Sequence, residues 1–180
     1  GLGQDDWSQN AFEKTLKYCQ SHTIPVVIDA DALNMLSRHS GSFNVSQCVI
    51  TPHSGEAARL LNDSVHAVED DRFNTARLLS QRYHAVCILK GAGSIIDNEK
   101  HAWVCQHGNP GMATAGMGDV LSGVLGALLA QGLGSDLACK YGVCLHARAG
   151  DYLAEKFGQR GILASDLFDT LRALINNRLS

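Results

Sequence analysis

The 180 residues lack any Lys/Arg cluster, any interleaving of aromatic with basic residues and any zinc-finger spacing, and their formal net charge is −3. Nucleic-acid binding needs a basic stripe or a recognisable reading module, so that class of partner is excluded. C-x-x-C pairs are missing too. The six cysteines, Cys19, Cys48, Cys87, Cys105, Cys139 and Cys144, fall mostly inside apolar runs such as AVCIL and GVCLH. They read as reduced core thiols of a cytoplasmic protein. Eight histidines are scattered without a second His or Cys in ligand-like spacing, so no metal site is expected from them. No targeting segment, internal repeat or low-complexity linker occurs. The most apolar helical segment is about half the roughly 20 residues that a membrane span needs. What remains is one domain, long enough to bury about 70% of its unfolded surface.

The most distinctive stretch runs from Gly108 to Gly132, GNPGMATAGMGDVLSGVLGALLAQG. Its glycines leave the backbone free to approach a ligand, and a helix is expected to start near Met117 to Asp119. The first amides of a helix have no partners within it and lie at the positive end of its dipole. Loop and helix together therefore form an anion site suited to phosphate. Neither familiar phosphate motif is present: no lysine follows these glycines as in a Walker A loop, and Gly116, Gly118 and Gly123 are spaced G-x-G-x4-G. Asp119 is either an ordinary dipole partner or a functional carboxylate, one that takes a proton from an attacking hydroxyl or holds Mg²⁺. The helix after it, with Val120, Leu121, Val124, Leu125, Leu128 and Leu129 around most of its circumference, is expected to be buried.

Along the chain, residues 7–22 place Trp7, Phe12, Leu16 and Cys19 at helical spacing behind the candidate caps Asp5 and Asp6. PVVIDADALN reads as a buried parallel strand whose end carries Asp29 and Asp31, either as caps of the following helix or as ligand or Mg²⁺ contacts. A second strand, CVITP, leads to His53 on a strand-to-helix loop and to a helix with Glu56 in its first turn. A third, AVCIL, ends in Lys90 and another glycine turn, where Lys90 is expected to meet a nucleotide phosphate or the loop that holds it. A helix with Phe73, Ala76, Leu79 and Tyr83 inside precedes that strand. A hairpin through Asp97 to Lys100 follows it. Residues 136–157 and 165–178 are expected to be helical, with Tyr141, Cys144, Leu145 and Ala149 in one apolar stripe and Leu167, Leu171, Leu174 and Ile175 in the other. Strands alternating with helices imply an α/β fold, a doubly wound and mostly parallel sheet flanked by helices, with ligands at the strands' carboxyl ends.

Four segments in this order, VIDADALN, TPHSGEAARLL, LKGAGS and GNPGMATAGMGDVLSG, closely resemble the ADP-dependent NAD(P)H-hydrate dehydratases, a branch of the ribokinase-like fold. The resemblance covers nearly the whole chain. It implies that residues 1–180 are part of a dehydratase domain whose N-terminal portion is absent, GLGQDD being similar to the tail of the family's GPGLG turn. In many members an epimerase domain lies before that. The implied reaction returns the S epimer of hydrated NADH or NADPH to the intact coenzyme, with ADP or ATP as the second substrate and Mg²⁺ beside it. Asp119 is then the catalytic base. Gly3, the segment His53 to Arg59 with His53, Gly55, Glu56 and Arg59 in it, and Asp119 would contact the hydrate. The adenine nucleotide would be held by Lys90, Gly91, Ala92, Gly93 and Ser94, and by Asn109, Pro110, Gly111, Met112, Ala113, Thr114, Ala115, Gly116, Met117 and Gly118. The expected partners are these small molecules and further copies of the chain, with neither nucleic acid nor membrane. Ser54 and Ser94 depart from the commoner Pro and Thr or acid of the family. A small-molecule kinase of the same fold and a non-catalytic nucleotide sensor are the rival readings.

Overall fold

The computed structural model describes residues 3–39 and 45–178. Three short strands, β1 (Val26–Ile28), β2 (Cys48–Ile50) and β3 (Val86–Leu89), lie side by side in parallel. Ile28 pairs with Ile50 and Ile50 with Cys87, so β1 and β2 finish level while β3 runs two residues further, to Leu89. The expected hairpin, β4 (Ile95–Asp97) and β5 (Ala102–Val104), completes the sheet antiparallel to β3. Alternation then sorts the side chains. Cys48, Ile50, Cys87 and Leu89 face a core shared with α1 (Asp6–His22), α2 (Asp31–Arg38), α3 (Ser54–Leu61), α4 (Val65–Asp70) and α5 (Arg72–Tyr83). Val49, Val86 and Ile88 face the opposite core, built with α6 (Met117–Ala130) and α7 (Ser135–Phe157). A third cluster seats α8 (Leu167–Ile175) against α7 and the start of α6. Helices thus cover both faces of a mostly parallel sheet. No helix among the described residues is long and apolar enough to cross a membrane.

Several inner stripes differ from those expected. Trp7 is 68% exposed, and Ser8 takes the buried place on α1 because Asp5, the cap, accepts both its amide and its hydroxyl. On α5 the core side is Thr75, Ala76, Leu79, Ser80 and Tyr83, while Phe73 faces outward. Tyr141 on α7 and Ile175 on α8 are also exposed. The largest correction concerns α6. Met117, Val120, Leu121, Leu125 and Leu129 are buried, but Asp119, Gly123, Ala127 and Ala130 form an open face. Leucine at every third or fourth position was enough to bury one side, and the small residues between them made the rest look apolar without requiring cover.

This two-sidedness yields opposite outcomes for two substitutions on one helix. Leu125→Ala, at a fully buried position, is expected to cost roughly 2–5 kcal/mol. Gly123→Ala adds a methyl group with nothing within 4 Å and should be neutral or stabilising by up to about 1 kcal/mol, through helix propensity and a less flexible unfolded chain. Urea unfolding of the two variants is the check. A clear loss for Gly123→Ala would show that another surface covers this face.

Candidate active site

The carboxyl ends of the three parallel strands bring different chemistry to one side of the sheet. Asp29, following β1, accepts hydrogen bonds from Lys90 Nζ at 2.8 Å and from Ser122 Oγ on α6 at 2.9 Å. Burial works to raise its carboxyl, but the Lys90 charge and the hydrogen bonds hold it below the ordinary carboxylate range. Lys90 Nζ also lies 3.8 Å from Glu56 Oε2. Asp29 is therefore neither a helix cap nor an open ligand but a tether among β1, β3 and α6. Asp31 accepts from the Gly3 amide at 3.0 Å.

His53, beyond β2, starts α3. Its Nδ1 accepts from the amides of Gly55 and Glu56, and Glu56 Oε2 accepts the His53 amide at 2.8 Å, a reciprocal cap with histidine where Ser or Thr is usual. An accepting Nδ1 leaves the neutral ring's proton on Nε2, 3.5 Å from Glu56 Oε1. Glu56 itself is buried, its carboxylate shared between the cap and Lys90. Arg59 donates from Nε to Asn34 Oδ1 at 2.8 Å. Because Asp31 and Asn34 are three apart on α2, one face of that helix holds both Gly3 and Arg59.

The glycine stretch is anchored from α7, where Asp151 accepts the Gly108 amide and the Asn109 side-chain amide, each at 2.9 Å. Asn109 in turn caps a short 3₁₀ turn, Pro110–Met112. Gly116, with φ +86°, turns the chain into α6 as expected, a conformation that a residue with Cβ adopts only with strain. No side chain caps this helix, and among the described residues the amides of Gly118 and Asp119 have no hydrogen-bond partner. They are free donors at the positive end of a 14-residue dipole. Asp119 is exposed on the same first turn.

Between these parts lies a cleft of about 890 Å³, within the roughly 300–1,000 Å³ usual for small-molecule sites. Lys90 to Ser94 all line it, as do His53, Ser54, Gly55, Asn109, Pro110, Met112, Ala113, Thr114, Met117 and Gly118. Gly3, Glu56, Arg59, Gly111, Ala115, Gly116 and Asp119 stand outside that lining; Gly111 backs on to the Gln159 carbonyl. Sequence reasoning missed the apolar wall, Leu121 with Val143, His146 and Ala147. The spacing of the last three on α7 was the available signal. It also missed Asp151 and Arg72. Arg72 donates to three carbonyls of the glycine turn after β3: Ala92 O at 2.7 Å, Leu89 O at 3.3 Å and Lys90 O at 3.4 Å.

A family model described as NAD(P)H-hydrate dehydratase matches residues 1–173. The chain is 49% identical over 176 residues to the bifunctional NAD(P)H-hydrate repair enzyme Nnr of Vibrio cholerae, covering 98% of this chain and 34% of that protein. It is 40% identical over 158 residues to the ADP-dependent (S)-NAD(P)H-hydrate dehydratase of Neisseria meningitidis, covering 84% of this chain and 53% of that protein. It therefore spans about a third of the bifunctional relative and about half of the other. In structure it is similar, with a TM-score of 0.88 and 25% identity, to the ADP/ATP-dependent NAD(P)H-hydrate dehydratase of Bacillus subtilis co-crystallized with ATP/Mg²⁺, over 99% of this chain and 62% of that one.

His146 gives the cleft wall a pH signature. Burial pushes its imidazole down to about 4, against the opposing pull of the Met117 backbone, and its buried Nε2 has no hydrogen-bond partner among the described residues. The unfolded chain takes up this proton near pH 6.5, whereas the folded one does so only near 4. The stabilisation is thus complete above about 6.5 and lost as pH falls through 4, a change of roughly 3 kcal/mol. Urea titrations between pH 7 and 4 should show this slope in the wild type and a flatter one in His146→Leu.

Proposed function

Because the chain belongs to the NAD(P)H-hydrate dehydratase family, we propose that it carries the site at which the S epimer of hydrated NADH or NADPH is dehydrated with ADP or ATP as the second substrate. The observation that carries this reading is the convergence on one cleft of two sets of free backbone donors, the start of α6 and the turn after β3, beside the Lys90 ammonium. That is the equipment of phosphoryl transfer, in which the protein mainly positions the reactants and stabilises charge.

The hydrate bears a hydroxyl at C6 of the reduced nicotinamide ring, and hydroxide leaves poorly. In the proposed sequence the C6 oxygen attacks the terminal phosphoryl group of the nucleotide, the O–P bond forms and the phosphoanhydride bond breaks. Asp119, on the exposed first turn of α6, takes the hydroxyl proton. The ring nitrogen's lone pair then expels phosphate from C6, and loss of a proton from C5 restores the double bond. The amides of Gly118 and Asp119 receive the negative charge that builds on the transferring group; each well-aimed donor is typically worth roughly 10²–10³ in rate. His53, Ser54 and Gly55 form the wall nearest the hydrate, with Gly3 and Arg59 held on α2 beyond it. The apolar wall of Leu121, Val143 and Ala147 suits the adenine ring. Among the described residues no group of three or more His, Cys, Asp or Glu side chains is placed to hold a metal ion. In the intact protein this reading extends to a homo-oligomer, and to an adjoining epimerase domain of the kind many family members carry.

Asp119→Asn in the intact protein keeps the shape of the side chain and removes the proton acceptor. It should lower kcat by roughly 10²-fold or more with nucleotide affinity nearly unchanged. Hydrated NADH is supplied with ADP or ATP, and the return of reduced-nicotinamide absorbance is followed together with free phosphate. Equal nucleotide-dependent yields of both are expected from the wild type. A variant as fast as wild type would remove Asp119 from the mechanism, and a stable phosphorylated product would replace dehydration by a kinase reaction.

A further inference from the structure

We propose that Arg72 is the positioning residue of the nucleotide loop: by holding the carbonyls of Lys90 and Ala92 on one side, it turns the amides of Gly91 and Gly93 toward the cleft. This rests on the nucleotide reading of that cleft. In a trans peptide the C=O of one residue and the N–H of the next point in opposite directions. One guanidinium accepts no such freedom from the turn, since it binds Leu89 O, Lys90 O and Ala92 O at once. The rule is visible at the first of these peptides, where Leu89 O faces Arg72 and the Lys90 amide donates the other way, to Pro52 O at 2.8 Å. At the next two donors no such acceptor exists. Among the described residues the amides of Gly91, Ala92 and Gly93 have no hydrogen-bond partner, and all three residues line the cleft. Carbonyls pinned outward by a cation leave a concave row of N–H donors suited to phosphate oxygens.

Two further observations separate this role from that of an ordinary surface arginine. Arg72 occupies the first turn of α5, where a cation opposes the helix dipole, so the position does not itself favour the helix; the carboxylates beside it are the cap Asp71 and Glu69 of α4. Its side chain is only 16% exposed, and a Cβ on Gly91, whose φ is +154°, would come within 2.6 Å of Arg72 Nη2. Glycine there is what lets the guanidinium approach. The arginine is held from behind by Glu69, whose Oε2 lies 3.9 Å from Nε and whose Oε1 accepts from Ser54 Oγ. Ser54, where the family commonly has proline, lines the cleft beside His53. Contact therefore runs from the substrate wall through Glu69 and Arg72 to the nucleotide loop.

The test uses Arg72→Lys and Arg72→Met in the intact protein, with ADP as the probe. Lysine keeps the charge but is a single point donor that cannot span the carbonyls of residues 90 and 92, so it should not rescue. Both variants are expected to raise the KM for ADP about tenfold or more while the KM for the hydrate moves less than about twofold. In wild type, saturating ADP should protect the Gly91 and Gly93 amides from hydrogen exchange, and in the lysine variant this protection should be lost. If the methionine variant does not fold, the lysine variant carries the same readouts. An unchanged KM for ADP with a lowered melting temperature would make Arg72 a structural strut only and overturn the proposal, as would equal protection in variant and wild type. Absence of ADP protection in the wild type itself would overturn the nucleotide reading and this role together.

Discussion

Lys90 and Asp29, 61 positions apart, meet at 2.8 Å beneath the start of α6, and the geometry of the cleft depends on that contact. Asp29 also receives Ser122 from α6, 93 residues on, so one carboxylate fixes a helix that has no side-chain cap of its own. The pair is largely removed from water, its side chains 21% and 12% exposed. At such depth the loss of one partner leaves an uncompensated charge, which in buried pairs costs roughly 3–5 kcal/mol. Lys90 is thereby held in the cleft wall with its charge partly balanced. A phosphate arriving there meets a lysine whose position is already set, so little ordering is left for binding to impose.

The cleft is divided by chemistry. Backbone amides and Lys90 give part of its lining hydrogen-bond donors, and Leu121, Val143 and Ala147 give another part apolar surface. A ligand with a charged end and a flat aromatic end matches both, whereas a free phosphate or a bare purine satisfies one. The buried thiols take no part in this division. Cys48, Cys87 and Cys139 are raised by burial, and Cys105 is pushed up to about 11, so they remain protonated and unreactive.

Much of this was legible in the sequence, for reasons that can be named. The three strands are short apolar runs ending in Asp29, His53 and Lys90, and parallel strands buried on both faces leave that pattern. Glycines mark the two turns because close backbone approach has few other solutions. Arg72 and Asp151 left no such mark. Each acts on a loop that is distant in the chain, 42 or 43 residues away for Asp151, through hydrogen bonds that impose no local periodicity. Glu56 was legible as a helix-start residue but not as the buried partner of Lys90. Trp7 and Phe73 misled because aromatic size suggests burial, while the actual inward positions went to Ser8 and Thr75, polar residues that share the helix faces of true core members.

The anchoring of Gly108 and Asn109 by Asp151 has a consequence for biosynthesis. At roughly 5–20 residues per second, α7 follows the glycine stretch out of the ribosome by a few seconds. Until it does, the stretch has no acceptor for the Gly108 amide or the Asn109 side chain, and Val143, His146 and Ala147 have not yet closed the apolar wall. The strand ends can assemble earlier, because Asp29, His53 and Lys90 all precede the stretch in the chain. The cleft is accordingly completed later than the strand ends on the nascent polypeptide, with the seating of α8 still to follow, and a stalled chain that ends before α7 would present the sheet with the cleft unwalled.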